Sequence, residues 1–147
     1  NGFSLVRSIL KNNKLPKNLK NNILKPTKIY SKEILNLVSK NLINSAAHIT
    51  GGGLIENLLR SIPNGLSLNI DLSKIKTKSI FKWLKNKKIS DQEMLQTFNC
   101  GVGFCIILPK RNIIKVKKFF SKKFMPYEIG YISSNKKKIN LSNFLKW

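Results

Sequence analysis

The chain's one histidine, His48, stands two residues before Thr50-Gly51-Gly52-Gly53, in the stretch A-A-H-I-T-G-G-G-L-I-E-N. An imidazole can take or give a proton near neutral pH. One glycine suffices for a tight turn. Three in a row let the backbone approach a ligand closely, at a cost in chain entropy on folding. A helix after them would aim unpaired N–H groups and the positive end of its dipole back at the loop. Such a corner suits an anion, most of all a phosphate, and the Thr50 hydroxyl can join it. The spacing is not G-x-x-x-x-G-K-[ST]. The plain alternative stays open: a tight strand–helix junction beside a histidine hydrogen-bonded in the core.

A second stretch, T-F-N-C-G-V-G at residues 97–103, puts Asn99, Cys100, Gly101 and Gly103 at a strand opening. These are poor strand residues. They make either a bulge or edge twist or a backbone lying against a substrate, with Asn99 supplying an amide. Cys100 and Cys105 fit neither C-x-x-C nor a zinc pattern, and no second His is present. They read as reduced thiols, Cys105 on a buried strand.

The acids are few: Glu33, Glu56, Asp71, Asp91, Glu93 and Glu128, scattered along the chain. Nucleotide chemistry needs carboxylates to hold one or two magnesium ions. There is no D-x-D or E-x-x-E grouping, no G-x-S-x-G and no Ser–His–Asp set. If the loops bind an anionic substrate, the metal ligands are expected outside this chain, with none within it.

These stretches need a frame. Apolar spacing predicts helices over 2–11, from 31 with Ile34, Leu35, Val38 and Leu42 on one face, over 54–61, over 79–86, from the capping box Ser90-x-x-Glu93, and over 112–123. Strands are predicted at 43–50, 66–72 and 99–109, with a final strand pair at 127–133 and 138–142. The Lys- and Asn-rich segment 12–22 reads as an exposed loop. The order suggests an α+β fold, helices packed on a mixed β-sheet, with residues 1–147 as a single domain.

A formal charge of +22 on 147 residues raises nucleic-acid binding. Yet 25 of the 28 basic residues are Lys, and Asn (18) and Ile (19) are high too. All three have AT-rich codons, so genome drift accounts for them together. Readers of nucleic acid favour the Arg fork. No specific nucleic acid is therefore expected as partner. No apolar run approaches membrane length, no signal peptide is visible, and a cytoplasmic location is expected. The chain opens at Asn1-Gly2 without an initiator Met, which suggests a fragment.

Taken together and in order, the motifs resemble one family. They are N-G-F-S-L-V-R at 1–7, P-T-K-I-Y at 26–30, H-I-T-G-G-G at 48–53 with Glu56-Asn57, T-F-N-C-G-V-G at 97–103 and I-G-Y-I at 129–132. They resemble the C-terminal half of the phosphoribosylformylglycinamidine cyclo-ligase (aminoimidazole ribonucleotide synthetase) family. The likeness spans about residues 1–133, and 134–147 match less well.

That resemblance implies an ATP-dependent ring closure in purine biosynthesis. ATP phosphorylates the formamide oxygen of formylglycinamidine ribonucleotide. The amidine-side nitrogen attacks the activated carbon, phosphate leaves, and aminoimidazole ribonucleotide forms. It implies an N-terminal domain carrying most of the ATP and Mg2+ site and the homodimer contact, so the isolated chain is expected to be inactive. It implies an active site between the two domains, facing His48, Thr50, Gly51, Gly52, Gly53, Asn99, Cys100, Gly101 and Gly103. Asn1, Ser4, Pro26, Thr27 and Tyr30 are expected there too. In that picture His48 donates a hydrogen bond or shuttles a proton, Asn99 orients the amide or amidine, and the glycine loop holds a phosphate. Lys28 stands where Arg is common. Two other readings remain: a basic non-catalytic binding module for nucleic acid or anionic surfaces, and a superfamily member acting on a different phosphoryl acceptor.

Overall fold

The helical spacing of Phe3, Val6 and Leu10 produces α1 (Phe3–Asn12), which buries Val6. The computed structural model describes residues 2–134 and 138–147. Asn1, expected at the site, lies outside the described residues. Next comes α2 (Lys17–Ile23), where a loop was expected. Only Leu19 is buried in it, so no apolar period announces the helix; its packing against a later helix stabilises it instead.

In α3 (Ser31–Ser39) the buried residue is Leu37, while Leu35 and Val38 are 66% and 53% exposed. The face predicted from Leu35 and Val38 is not the buried one. Apolar residues occupy more than one side of this helix, and tertiary packing selects the side.

Strand β1 (Ser45–His48) pairs antiparallel with β3 (Phe104–Ile107), with His48 opposite Phe104. Both are shorter than the spans 43–50 and 99–109. Between them come α4 (Gly53–Arg60), β2 (Leu66–Asp71), α5 (Ser79–Lys85) and α6 (Asp91–Thr97). The Ser90 cap forms: Ser90 Oγ accepts from the Glu93 N–H at 3.1 Å. The amphipathic segment 112–123 gives only α7 (Ile113–Lys117), flanked by short 3-10 turns.

The last strands, β4 (Gly130–Ser134) and β5 (Ile139–Ser142), do not pair with each other. They flank β2 in the order β4-β2-β5, β4 antiparallel and β5 parallel to it. Alternation fixes the face a strand buries, not its neighbour. The α+β expectation holds, with the strands divided between a two-stranded sheet and a mixed three-stranded one. One apolar cluster spans both, from Val6 through Ile49, Leu54, Leu68, Met94 and Phe98 to Leu145. Among the described residues, no helix is long and apolar enough to cross a membrane.

Candidate functional site

The corner between β1 and α4 is a tight turn. The Gly53 N–H donates to the Thr50 carbonyl at 3.1 Å, closing a turn. Gly52 and Gly53 both take left-handed backbone, φ 86° and 62°. A Cβ on Gly53 would collide with the Leu95 carbonyl, so α4 and the end of α6 touch through bare backbone.

Asn57, one turn into α4, is buried and serves this corner. Its Nδ2 donates to the carbonyls of Gly53 (2.6 Å) and Gly51 (3.0 Å), with Thr50 O at 3.4 Å. Its Oδ1 accepts from Arg60 at 2.6 Å. An arginine only donates, which fixes which end of the amide faces which way. A trans peptide carries its C=O and N–H in opposite directions, and no peptide here is cis. With the Thr50 and Gly51 carbonyls turned to Asn57, the N–H groups of Gly51 and Gly52 point away from it. Two adjacent backbone donors facing out of a turn suit a phosphate oxygen. A cavity of about 200 Å³ borders the same corner, lined by Ala46, Ala47, His48, Asn57, Arg60 and Ser61.

His48 sits at the end of β1 with its ring exposed. It stacks on Phe104 (centroids 5.6 Å) and meets Tyr30 edge-on (5.9 Å), and Tyr30 also packs on Phe104 (5.2 Å). The β1–β3 register brings His48 and Phe104 together. Tyr30 arrives from just before α3, and its hydroxyl occupies the place a Cβ on Gly103 would take. Burial is the main reason its phenol pKa is raised, with Cys105 and Glu33 adding to it.

Lys28 is held two residues earlier. Its Nζ lies 2.8 Å from Glu33 Oε1 and over the rings of Phe124 (4.1 Å) and Tyr30 (5.1 Å). This charge faces its own fold. The Lys28 hydrogen bond keeps the Glu33 carboxyl below its ordinary range.

The second stretch is a turn rather than a strand start. Asn99 Oδ1 accepts from the Gly101 N–H at 3.0 Å and the Asn99 carbonyl accepts from Val102 at 2.8 Å. The acceptor side of the Asn99 amide is thus committed to the turn. Cys100 has a left-handed backbone, φ 48°, and is fully buried, its thiol directed at the Met94 carbonyl. Neither its side chain nor its backbone is open to a ligand here, against the expected binding role. Burial pushes both the Cys100 and Cys105 thiols up to about 12, so neither is a nucleophile at neutral pH. Both are free. Cys105 is half-buried by its surface exposure.

The expected residues fall into groups. His48, Thr50, Gly51, Gly52, Gly53, Tyr30 and Gly103 come together around the paired ends of β1 and β3, where the Ile49 N–H donates to Gly103 O. The Asn99 turn joins them through the α6–Gly53 contact, and Gly2 abuts the neighbouring Phe98 ring. Ser4 lies exposed on α1, accepting from Arg7, and Pro26 and Thr27 lie exposed before α3. Among the described residues, no hydrogen bond or ring contact ties Ser4 or Thr27 to His48. Asn57 and Arg60 were given no role from the sequence; the available signal was an amide four residues after the last glycine. Among the described residues no three His, Cys, Asp or Glu side chains gather to hold a metal.

Comparison with known proteins places the chain in a family. The family model described as AIR synthase related protein, C-terminal domain, matches residues 1–140. A phosphoribosylformylglycinamidine cyclo-ligase of Lactobacillus helveticus is 40% identical, over 88% of this chain and 41% of its own length. One from Prochlorococcus marinus is 38% identical over 96% of this chain and 45% of its own. The bifunctional purine biosynthetic protein of Saccharomyces cerevisiae is 40% identical over 77% of this chain and 16% of its own. The chain thus spans less than half the length of these curated relatives. With a family model covering almost every residue and relatives about 40% identical over most of its length, the chain belongs to the AIR synthase related family, as its C-terminal domain.

Proposed function

We propose that this chain forms one wall of the active site of an ATP-dependent cyclo-ligase, closing formylglycinamidine ribonucleotide to aminoimidazole ribonucleotide with release of ADP and phosphate. The observation that carries the reading is the 50–53 turn, which begins two residues after the exposed His48 and has its Thr50 and Gly51 carbonyls turned to Asn57. In this role the turn and Thr50 hold the substrate's ribose phosphate. His48 donates to the reacting group or moves its proton, and Asn99 Nδ2 orients the substrate by donating to the formamide oxygen or to the amidine's acceptor nitrogen. ATP activates the formamide oxygen by phosphorylation, and this wall positions the nucleotide so that the amidine-side nitrogen reaches the activated carbon.

The described residues offer no carboxylate cluster for Mg2+. Its ligands, much of the ATP site and the homodimer contact are assigned to an N-terminal domain of the same enzyme, working in the cytoplasm. The isolated chain is then folded and inactive.

The test is reconstitution. The chain is fused to the part of the Lactobacillus helveticus cyclo-ligase that it does not match, and also supplied to that part in trans. ATP-dependent formation of aminoimidazole ribonucleotide is expected. His48→Ala and Asn99→Ala in the fusion should each lower kcat/KM by about a hundredfold. Unchanged activity in both would remove the two side chains from the site. A basic binding module would instead bind nucleic acid selectively near physiological salt. A steep loss with salt and no selectivity leaves only bulk charge.

A further inference from the structure

We propose that Asn57 is a positioning residue that sets the polarity of the 50–53 turn, with Arg60 orienting its amide. The proposal rests on the phosphate-binding reading of that turn. Gly51, Gly52 and Gly53 have no side chains to select one peptide orientation over its flip, and turns containing glycine interconvert by such flips. Nothing stands within 4 Å of a Cβ on Gly51. A flipped 51–52 peptide would present a carbonyl to the incoming anion and repel it.

The Gly53 N–H helps to hold the Thr50 carbonyl, and one buried amide holds the 51–52 peptide. Asn57 Nδ2 has two protons, and the Gly53 and Gly51 carbonyls lie 2.6 and 3.0 Å away. Thr50 O shares them at 3.4 Å. The Arg60 guanidinium, 2.6 Å from Oδ1, prevents the amide from turning over. A buried donor left without an acceptor is costly, so the glycine carbonyls are drawn inward and their N–H partners outward. Asn57 touches the ligand nowhere in this account. It acts through the turn.

The test uses the chain itself, labelled with nitrogen-15. In the absence of ligand the Gly51 and Gly52 amides of the wild type should exchange rapidly with water. Asn57→Asp keeps the shape and the Arg60 contact but sets a carboxylate against the carbonyls. Asn57→Ala removes the donor without adding charge, and covers the case in which the carboxylate prevents folding. In either folded variant the Gly51 and Gly52 resonances should move, and in Asn57→Asp, whose carboxylate can accept N–H groups turned inward, their exchange should also slow. Unchanged shifts and exchange in a variant with native circular dichroism overturn the proposal, whatever the ligand does.

Titration with ribose 5-phosphate near physiological salt is the second arm. Wild type should show shifts centred on Gly51 and Gly52, and the variants should bind about tenfold more weakly. In the fusion enzyme KM should rise by a similar factor while kcat changes less. Arg60→Lys, which keeps a donor on Oδ1, should match wild type in both arms, whereas Arg60→Met should resemble Asn57→Ala. Wild type that shows no localised shift, alongside variants with altered amide exchange, upholds the Asn57 inference and sinks the phosphate reading of the turn.

Discussion

Gly103 must lack a side chain because the Tyr30 hydroxyl occupies the space. Gly103→Ala should therefore push the phenol off Phe104 and His48 and destabilise the fold by about 1–3 kcal/mol. Adding Tyr30→Phe removes the colliding oxygen and should recover part of the loss. Melting temperatures of the two single variants and the double variant check this, and strict additivity would mean the two positions do not meet. Glu33 carries a pH dependence of known sign. Its folded pKa is lowered, first by the Lys28 hydrogen bond, from an ordinary value of 4.5. The ion pair's contribution is complete above that value and is lost as pH falls through the lower folded one. Glu33→Gln should be less stable than wild type by about 1 kcal/mol near neutrality. That gap should shrink progressively as pH falls below 4.5 and through the lowered folded pKa. A gap in urea melts that ignores pH would show that the pair adds nothing.

At the level of the elements, α3 makes the cleanest prediction. Leu37→Ala should cost about 2–4 kcal/mol, since the side chain is fully buried. Leu35→Ala, exposed two positions away, should stay within about 0.5 kcal/mol. Denaturant midpoints of the two variants decide whether the burial assigned to α3 is right. The same helix shows what a sequence conveys. The Ser90–Glu93 box was legible because capping is local, acting across three residues through one hydrogen bond. The inward face of α3, the existence of α2 and the separation of β4 from β5 depend on contacts between distant segments, which periodicity does not encode. The site divides the same way. The glycines at 51–53 and the Asn99–Gly103 stretch stood out because they break local propensity. The roles of Asn57 and of the Tyr30–Gly103 fit needed distances.

For the molecule as a whole, a charge of +22 on 147 residues is the dominant long-range term. Only four ion pairs are present among the described residues, too few to offset it. Self-repulsion destabilises a compact state and is screened by salt. The melting temperature should therefore rise as ionic strength increases from about 0.01 M to about 0.15 M, where the Debye length falls from about 30 to 8 Å. Binding to heparin or DNA should weaken over the same range. A melting temperature that fell with salt would mean that local ion pairs outweigh the net charge.

The placement of β2 has a kinetic consequence. It is the middle strand of its sheet, yet both neighbours begin only at Gly130 and Ile139. Hydrogen bonds from Asn69 to Ser133 and from Asn140 to Asn69 span 64 and 71 residues. Contacts that distant form late, because a long loop must close first. Until then β2 carries two open edges, each able to join another chain. Refolding yield should accordingly fall with protein concentration. The vulnerable interval runs from the formation of β2 to the arrival of its two partners, and dilution is what protects it.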